Sequence, residues 1–321
     1  MIEEALIPLG WWLVLALAAS LLGALMYPLV RRVIRGATPR MRSCVRFCYA
    51  CMAPLAAAAT LALGSKASLG AVFVPNHCHD DVCALHTPVY AVDSLALLGL
   101  SAAGSLIVLL LAASVIWALR RSGRRLRALQ TFARNTREGY RLLSSKQFIA
   151  CCAGLWRPEV LLSSSLVKTL RNEELQIVLA HEYAHAQRLD NLRALLIQWA
   201  TLAWPPSPGR QLREDANADA EQACDREAVR AGFAAASVAA TIHRLARTTA
   251  VDCHKVGRPA SAFGCDSTSG RLDALSSGSE ASARYDWLVG GLCLAVAWGV
   301  QVSVLSAFYH GAIEWLGGAL L

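Results

Sequence analysis

His181-Glu182-Tyr183-Ala184-His185 sets two imidazoles one helical turn apart, with a carboxylate beside the first. Residues i and i+4 share a helical face, so both rings can hold one metal ion. Zinc lowers the pKa of a bound water to about 7, and a neighbouring carboxylate such as Glu182 can take that water's proton and pass it to a departing amine. That is the chemistry of peptide-bond hydrolysis. A catalytic zinc site uses three protein ligands and keeps a fourth position open, so a further ligand is needed downstream. The polar stretch 212–230, free of Gly and Pro, reads as a second helix. Within Glu221-Gln222-Ala223-Cys224-Asp225, Glu221 is the expected third ligand, and Asp225, one turn on, is placed to accept the free N–H of a ligating histidine. Glu214, Asp215, Asp219 and Glu227 are rivals on the same helix, many of them expected to be surface charges. Cys224 is either a thiolate ligand or a buried bystander, and thiols more often pack as small hydrophobes.

The elements that must carry these residues are set by hydropathy. Fifty-five per cent of the 321 residues are hydrophobic, gathered in uncharged runs at 5–30, 47–64, 94–119 and 287–309. Each is long enough to cross a hydrocarbon core of about 30 Å. This predicts an integral membrane protein: residues 1–119 form a membrane domain with three transmembrane helices and an outer loop at 65–93. A metallopeptidase domain follows at 120–286, and a fourth transmembrane helix with a short tail at 287–321. Glu3 and Glu4 stand where a signal peptide would carry basic residues, so the first run reads as a retained span. The apolar stretch 192–204 is too short to cross and ends at Pro205-Pro206. It predicts a helix packed within the protein or against the bilayer face.

Arg31, Arg32, Arg35, Arg40, Arg42 and Arg46 follow the first run, and Arg120, Arg121, Arg124, Arg125 and Arg127 follow the third. Arginine bias of this kind marks the cytoplasmic side, which puts the peptidase domain in the cytoplasm and both termini outside. The net charge of +8 is explained by arginines facing anionic headgroups. No zinc-finger spacing, helix-turn-helix or phosphate loop accompanies it, so direct nucleic-acid binding is not expected. Cys78 and Cys83, within His77-Cys78-His79-Asp80-Asp81-Val82-Cys83-Ala84-Leu85-His86, fall in the outer loop. They read as a disulfide, with a thiol and imidazole metal site as the alternative. Pro158-Glu159-Val160-Leu161-Leu162 reads as an edge strand, Glu159 to Leu161 lying where an extended substrate could pair. Tyr183, Arg188 and Arg226 neighbour the site in sequence, but their directions are open.

The line from Gly154-Leu155-Trp156-Arg157-Pro158 through His181-Glu182-Tyr183-Ala184-His185-Ala186-Gln187-Arg188-Leu189-Asp190 to Glu221-Gln222-Ala223-Cys224-Asp225 resembles the BlaR/MecR-type membrane metallopeptidases. The resemblance implies a mainly α membrane protein with four transmembrane helices. Between the third and fourth lies an α+β cytoplasmic zincin-like metallopeptidase domain of the gluzincin kind. It implies zinc held by His181, His185 and Glu221, Glu182 as general base, and Asp225 supporting a histidine. It further implies a multi-pass protein of the bacterial cytoplasmic membrane that cleaves a protein or peptide substrate or itself in regulated proteolysis or signalling, with a winged-helix transcriptional repressor as a partner. The chain has only about a dozen residues beyond the fourth run, so it is expected to lack the penicillin-binding sensor domain of the receptors. Two alternatives stand beside this expectation: a housekeeping quality-control metalloprotease of the membrane, and a signalling scaffold whose zinc is structural.

Overall fold

The computed structural model describes residues 2–64, 78–79, 82–83, 95–249, 268–276 and 283–319. The chain opens with α1 (Ile2–Val33), a 3-10 turn (Ile34–Gly36), α2 (Pro39–Ala50) and α3 (Met52–Gly64). A two-stranded ladder, β1 (Cys78–His79) with β2 (Val82–Cys83), precedes the long helix α4 (Leu95–Phe132). Strands β3 (Ala133–Asn135), β4 (Arg141–Leu143), β5 (Ala150–Ala153) and β6 (Glu159–Ser163) form one small sheet. Helices α5 (Ser164–Thr169), α6 (Asn172–Arg188), α7 (Asp190–Ala200), α8 (Pro206–Arg230), α9 (Ala235–Thr249), α10 (Thr268–Ser276) and α11 (Ala283–Ala319) complete it. The fold is mainly helical with a small sheet.

Among the described residues, three helical segments are long and apolar enough to cross a membrane: Pro8–Gly36, Ser101–Phe132 and Asp286–Ile313. Leu288, Leu292, Val296, Val300, Val304 and Phe308 recur every fourth residue along α11 and are all exposed, as a helix facing hydrocarbon requires. Where α1 crosses α4, a Cβ on Gly10 would meet Ser101 Oγ at 3.0 Å and one on Gly104 would meet the Leu9 carbonyl at 3.2 Å. Glycine at both places lets the two backbones touch.

The second expected span, 47–64, is not one helix. Helices α2 and α3 meet at Cys51 with a bend of 48°. Pro54, the third residue of α3, has no N–H to return to the carbonyl of Ala50, so the ladder is interrupted there. Trp12 Nε1 donates to the Pro54 carbonyl at 3.0 Å and ties the break to α1. The stretch 192–204 is the packed helix expected of it. Helix α7 runs out at Ala200, and Trp204 lies between Tyr27 and Tyr49, ring centroids 6.2 and 6.0 Å away. Leu212 and Ala216 of α8 join the same core as Tyr27, Tyr49 and Val45, so α8 is packed directly on the apolar helices.

The arginines at the end of α1 and in α2 do more than face headgroups. Arg42 Nε reaches Asp219 Oδ1 at 2.8 Å, Arg46 pairs with Asp219, and Arg31 Nε reaches Asp215 Oδ2 at 2.8 Å. Tyr27 donates to Asp215 at 2.7 Å, and Arg188 Nη2 of α6 donates to Ser43 Oγ of α2 at 2.8 Å. Asp219 is buried and Asp215 largely so; these acids anchor α8 to a collar formed by the end of α1, the 3-10 turn and α2, and are not surface charges. Breaking one partner of a buried ion pair costs about 3–5 kcal/mol, whereas an exposed pair is worth roughly 1 kcal/mol or less. Asp219→Ala is therefore expected to lower the melting temperature of the detergent-solubilised protein by several degrees. Glu227→Ala, which breaks only a solvent-exposed pair with Arg230, should leave it nearly unchanged.

In the sheet the order is β3-β4-β6-β5. Strand β6 pairs parallel with β4 and antiparallel with β5, with Val160, Leu161 and Leu162 buried. The expected edge strand of Glu159, Val160 and Leu161 thus lies inside the sheet. Pro158 precedes the ladder and removes no bond from it, which is the other position a proline can take at a strand. Glu159 is bound to Arg141 Nη2 and Gln130 Nε2, both at 3.0 Å, tying α4 to the sheet. The true edge beside α6 is β5. Cys78 and Cys83 are register partners in the β1–β2 ladder, but their side chains, and with them the expected disulfide, lie outside the described residues.

Candidate functional site

Helix α6 begins where Glu174 accepts from the Arg171 N–H at 2.9 Å, and Arg244 Nη1 holds the same carboxylate at 2.7 Å. Ile177, Val178 and Leu179 bury its first half against Val160 and Leu162 of the sheet. The same inward face then carries His181, Glu182 and His185, all at most 3 % exposed. Leu189 ends the helix in the left-handed region at φ 53°, the one non-glycine residue with positive φ among the described residues. That conformation costs about 1–2 kcal/mol. It turns the chain so that Asp190, the first residue of α7, folds back on His185.

The two rings and Glu221 converge from α6 and α8. His181 Nε2 and His185 Nε2 stand 3.1 Å apart, His185 Nε2 is 3.4 Å from Glu221 Oε1, and His181 Nε2 is 3.5 Å from Glu221 Oε2. Each ring has its other nitrogen against a carboxylate: His181 Nδ1 lies 2.9 Å from Asp225 Oδ1, and His185 Nδ1 lies 2.9 Å from Asp190 Oδ2. A carboxylate there takes an N–H, which leaves each Nε2 as a lone pair. Two lone pairs and a carboxylate turned on one point repel unless a cation lies among them. A tetrahedral ion with bonds of about 2.0–2.1 Å spaces its ligand atoms about 3.3 Å apart, the spacing found here. The residues fit zinc.

Charge favours the same occupant. Glu182, Asp190, Glu221 and Asp225 face two guanidinium groups, Arg188 and Arg271, so the cluster is short of positive charge by two. Burial works against ionising His181 and His185, but Asp225 and Glu221 on the first, and Cys224, Asp190 and Glu221 on the second, outweigh it and raise both pKa values. Burial also resists the ionised form of Glu221, yet the two histidines hold its carboxyl well below the usual carboxylate range. Glu182 differs: burial is its largest influence and its pKa is raised. Its Oε2 is buried without a hydrogen-bond partner, the condition of a carboxylate kept ready for a proton.

Arg271 is the residue that sequence reading missed. It comes from α10, inside the Ser/Gly-rich stretch 267–282, where composition suggests only a linker. Its side chain is 3 % exposed, with Nε and Nη2 on the Asp225 carboxylate at 2.8 and 2.6 Å and Nη1 3.2 Å from Glu221 Oε2. One guanidinium thus holds both the third candidate ligand and the partner of His181. Asp190 was legible as a motif position but not as the partner of His185. Cys224 is buried with its sulfur 3.7 Å from Asp190 Oδ2. His185, Asp190 and Cys224 form a second group of ligand type, but Arg188 Nε already sits 3.1 Å from Asp190, a cation where a metal would need to be.

The other candidates are elsewhere. Tyr183 donates to the Glu138 carbonyl, Arg188 serves Asp190 and Ser43, and Arg226 donates to the Ala274 carbonyl. Glu214 is exposed and Glu227 pairs with Arg230. Strand β5 lies over α6 close enough that Glu182, after burial itself, contributes to pushing the thiols of Cys151 and Cys152 up to about 12. Ser163 N–H donates to the Ile149 carbonyl at 2.8 Å. By alternation this turns the backbone groups of Ala150 and Cys152 away from β6.

The family model described as BlaR1 peptidase M56 matches residues 10–233. No curated protein and no solved structure matches the chain. The family match runs from α1 into the turn after α8, taking in the membrane collar, the sheet and both helices that carry the histidines, Glu221 and Asp225. With more than half its length under that match, the chain belongs to the BlaR1 peptidase M56 family of membrane-associated peptidases.

Proposed function

We propose that this protein is a zinc endopeptidase of the bacterial cytoplasmic membrane that cuts a protein substrate, or itself, in regulated proteolysis. The single observation that carries the reading is the triangle of His181 Nε2, His185 Nε2 and Glu221, with sides of 3.1, 3.4 and 3.5 Å and every outer nitrogen of the rings already given to a carboxylate. His181, His185 and Glu221 would hold the ion; bound there, zinc lowers the pKa of a water to about 7 and polarises the scissile carbonyl. Asp225, Asp190, Arg188 and Arg271 keep the three ligands in tautomer and direction. Glu182 takes a proton from the attacking water at its carboxylate and gives it to the amine nitrogen of the departing peptide.

The backbone of β5 supports a role in substrate binding that the sequence had placed on Glu159, Val160 and Leu161. An extended peptide added at Ala150 and Cys152 continues the sheet across α6, and main-chain pairing of this kind selects conformation more than side-chain sequence. Asn191 Nδ2 donates to the Cys152 and Gly154 carbonyls at 2.9 and 3.2 Å, which braces this edge, so a peptide would pair through the Ala150 groups and the Cys152 N–H. Residues 47–64, the last turn of α2 and all of α3, count as the second of four spans in this reading, with the arginine collar and the peptidase on the cytoplasmic side, both termini outside and the outer-loop Cys78 and Cys83 joined. A winged-helix repressor is the substrate class suggested by resemblance.

Removing the metal tests the chemistry directly. Dialysis of the purified protein against a chelator should abolish cleavage of itself and of a casein-like substrate, and one equivalent of zinc should restore it. Cleavage that survives in metal-free protein would exclude the reading.

A further inference from the structure

A cavity of about 170 Å³ opens where the membrane collar meets the Glu221 helix. Arg35 and Arg42 line it from the collar, Gln222 and Arg226 from α8, and Ala274 from α10. Among the described residues, three guanidinium groups and no carboxylate form its wall. Arg42 is a fixed part of that wall: its Nε is on Asp219, Nη1 on the Ala37 carbonyl at 3.0 Å, and Nη2 on Gln222 Oε1 at 2.6 Å. The nearby Asp286 is engaged by the Thr38 N–H at 2.8 Å. Thr38 and Pro39, also in the lining, begin α2, whose first-turn N–H groups add to the positive field.

The catalytic residues do not use this cavity. At about half the lower limit of ordinary small-molecule pockets, roughly 300 Å³, it suits one compact anionic group better than a cofactor. Its position narrows the class. Leu25, Leu29 and Val33, exposed at 77, 61 and 54 %, run down α1 to the turn that holds Arg35 and Gly36, so the cavity opens at the level where an apolar, lipid-facing stripe ends. We propose that it binds the phosphate of an anionic phospholipid headgroup, bridging the collar to α8 and α10. The bound lipid then fastens the Glu221 helix to the bilayer surface and, through Ala274, the helix that supplies Arg271. This requires the chain to lie in a membrane but does not depend on the peptidase reading.

Arginines near a bilayer attract anionic lipid wherever they stand, by about 1 kcal/mol each, so the test compares equal charge changes in and out of the cavity. The full chain in neutral detergent is titrated with monomeric dioctanoyl-phosphatidylglycerol, and with dioctanoyl-phosphatidylcholine as the neutral probe. The double variant Arg35→Gln with Arg226→Gln should weaken phosphatidylglycerol binding at least about tenfold. Arg32→Gln with Arg40→Gln, both at exposed positions outside the lining, should weaken it by about twofold or less. Arg35→Gln alone, at an exposed position, should already show part of the loss with an unchanged melting temperature. If millimolar inorganic phosphate displaces the probe, the site stands and its natural ligand is free phosphate; if it does not, the lipid is the ligand. Equal losses in the two double variants, or equal binding of phosphatidylcholine, would overturn the proposal.

Discussion

Purified Glu182→Gln protein is expected to hold as much zinc as the wild type and to cleave itself or a casein-like substrate at least about 10²-fold more slowly. The three atoms of the ligand triangle belong to other residues, so metal content should not move. Nor should stability fall. An ionised carboxylate with a buried, unpartnered oxygen is costly in the fold, and a neutral amide of the same shape lowers that cost. A drop in rate at unchanged or raised melting temperature and unchanged zinc then isolates the loss of the base. Full cleavage by this variant would remove Glu182 from the mechanism, and loss of zinc would mean that its carboxylate is a ligand instead.

Glu221→Ala should lose tight zinc binding, beyond the 10–100-fold weakening that follows removal of a group that merely supports a ligand. Two histidines remain, but the position opposite them is emptied, and Arg271 is left with Asp225 alone. Glu214→Ala and Glu227→Ala lie on the same helix, one exposed and one paired with Arg230, and should retain full zinc. Metal content after dialysis against graded chelator orders the three variants. A zinc-replete Glu221→Ala protein would give the third position to another group.

The parts of the site that could be read from sequence are those carried by helical spacing alone. His181, Glu182 and His185 share one turn, and Glu221 and Asp225 share another, so local periodicity was sufficient to pair them. Asp190 required knowing that Leu189 adopts a left-handed turn, which no residue type announces when leucine fills the place of glycine. Arg271 was hidden by distance: its contacts reach back 46 residues to Asp225, and its own segment is too short and polar to read as an element. The edge strand was misplaced because strand order is a non-local property, and a proline just outside a ladder looks the same as one on its rim. The collar shows the same limit. Arg42 and Arg46 read as headgroup partners because Asp219, their buried counter-charge, lies far along the chain.

The guanidinium of Arg271 gives the enzyme a boundary that the family match does not reveal. The match ends at residue 233, yet the hold on Glu221 and Asp225 arrives from α10, which lies beyond it and shortly before the last span. A fragment cut to the matched length would carry every proposed ligand and the base and still leave two buried carboxylates without their counter-charge. The same reasoning applies to cleavage in the cell. Any cut between α9 and α10 leaves the histidine motif and Arg271 on separate pieces, joined only by non-covalent contacts. A peptidase that cut itself there would therefore carry its own clock, its working life set by how long α10 stays docked after the chain is severed.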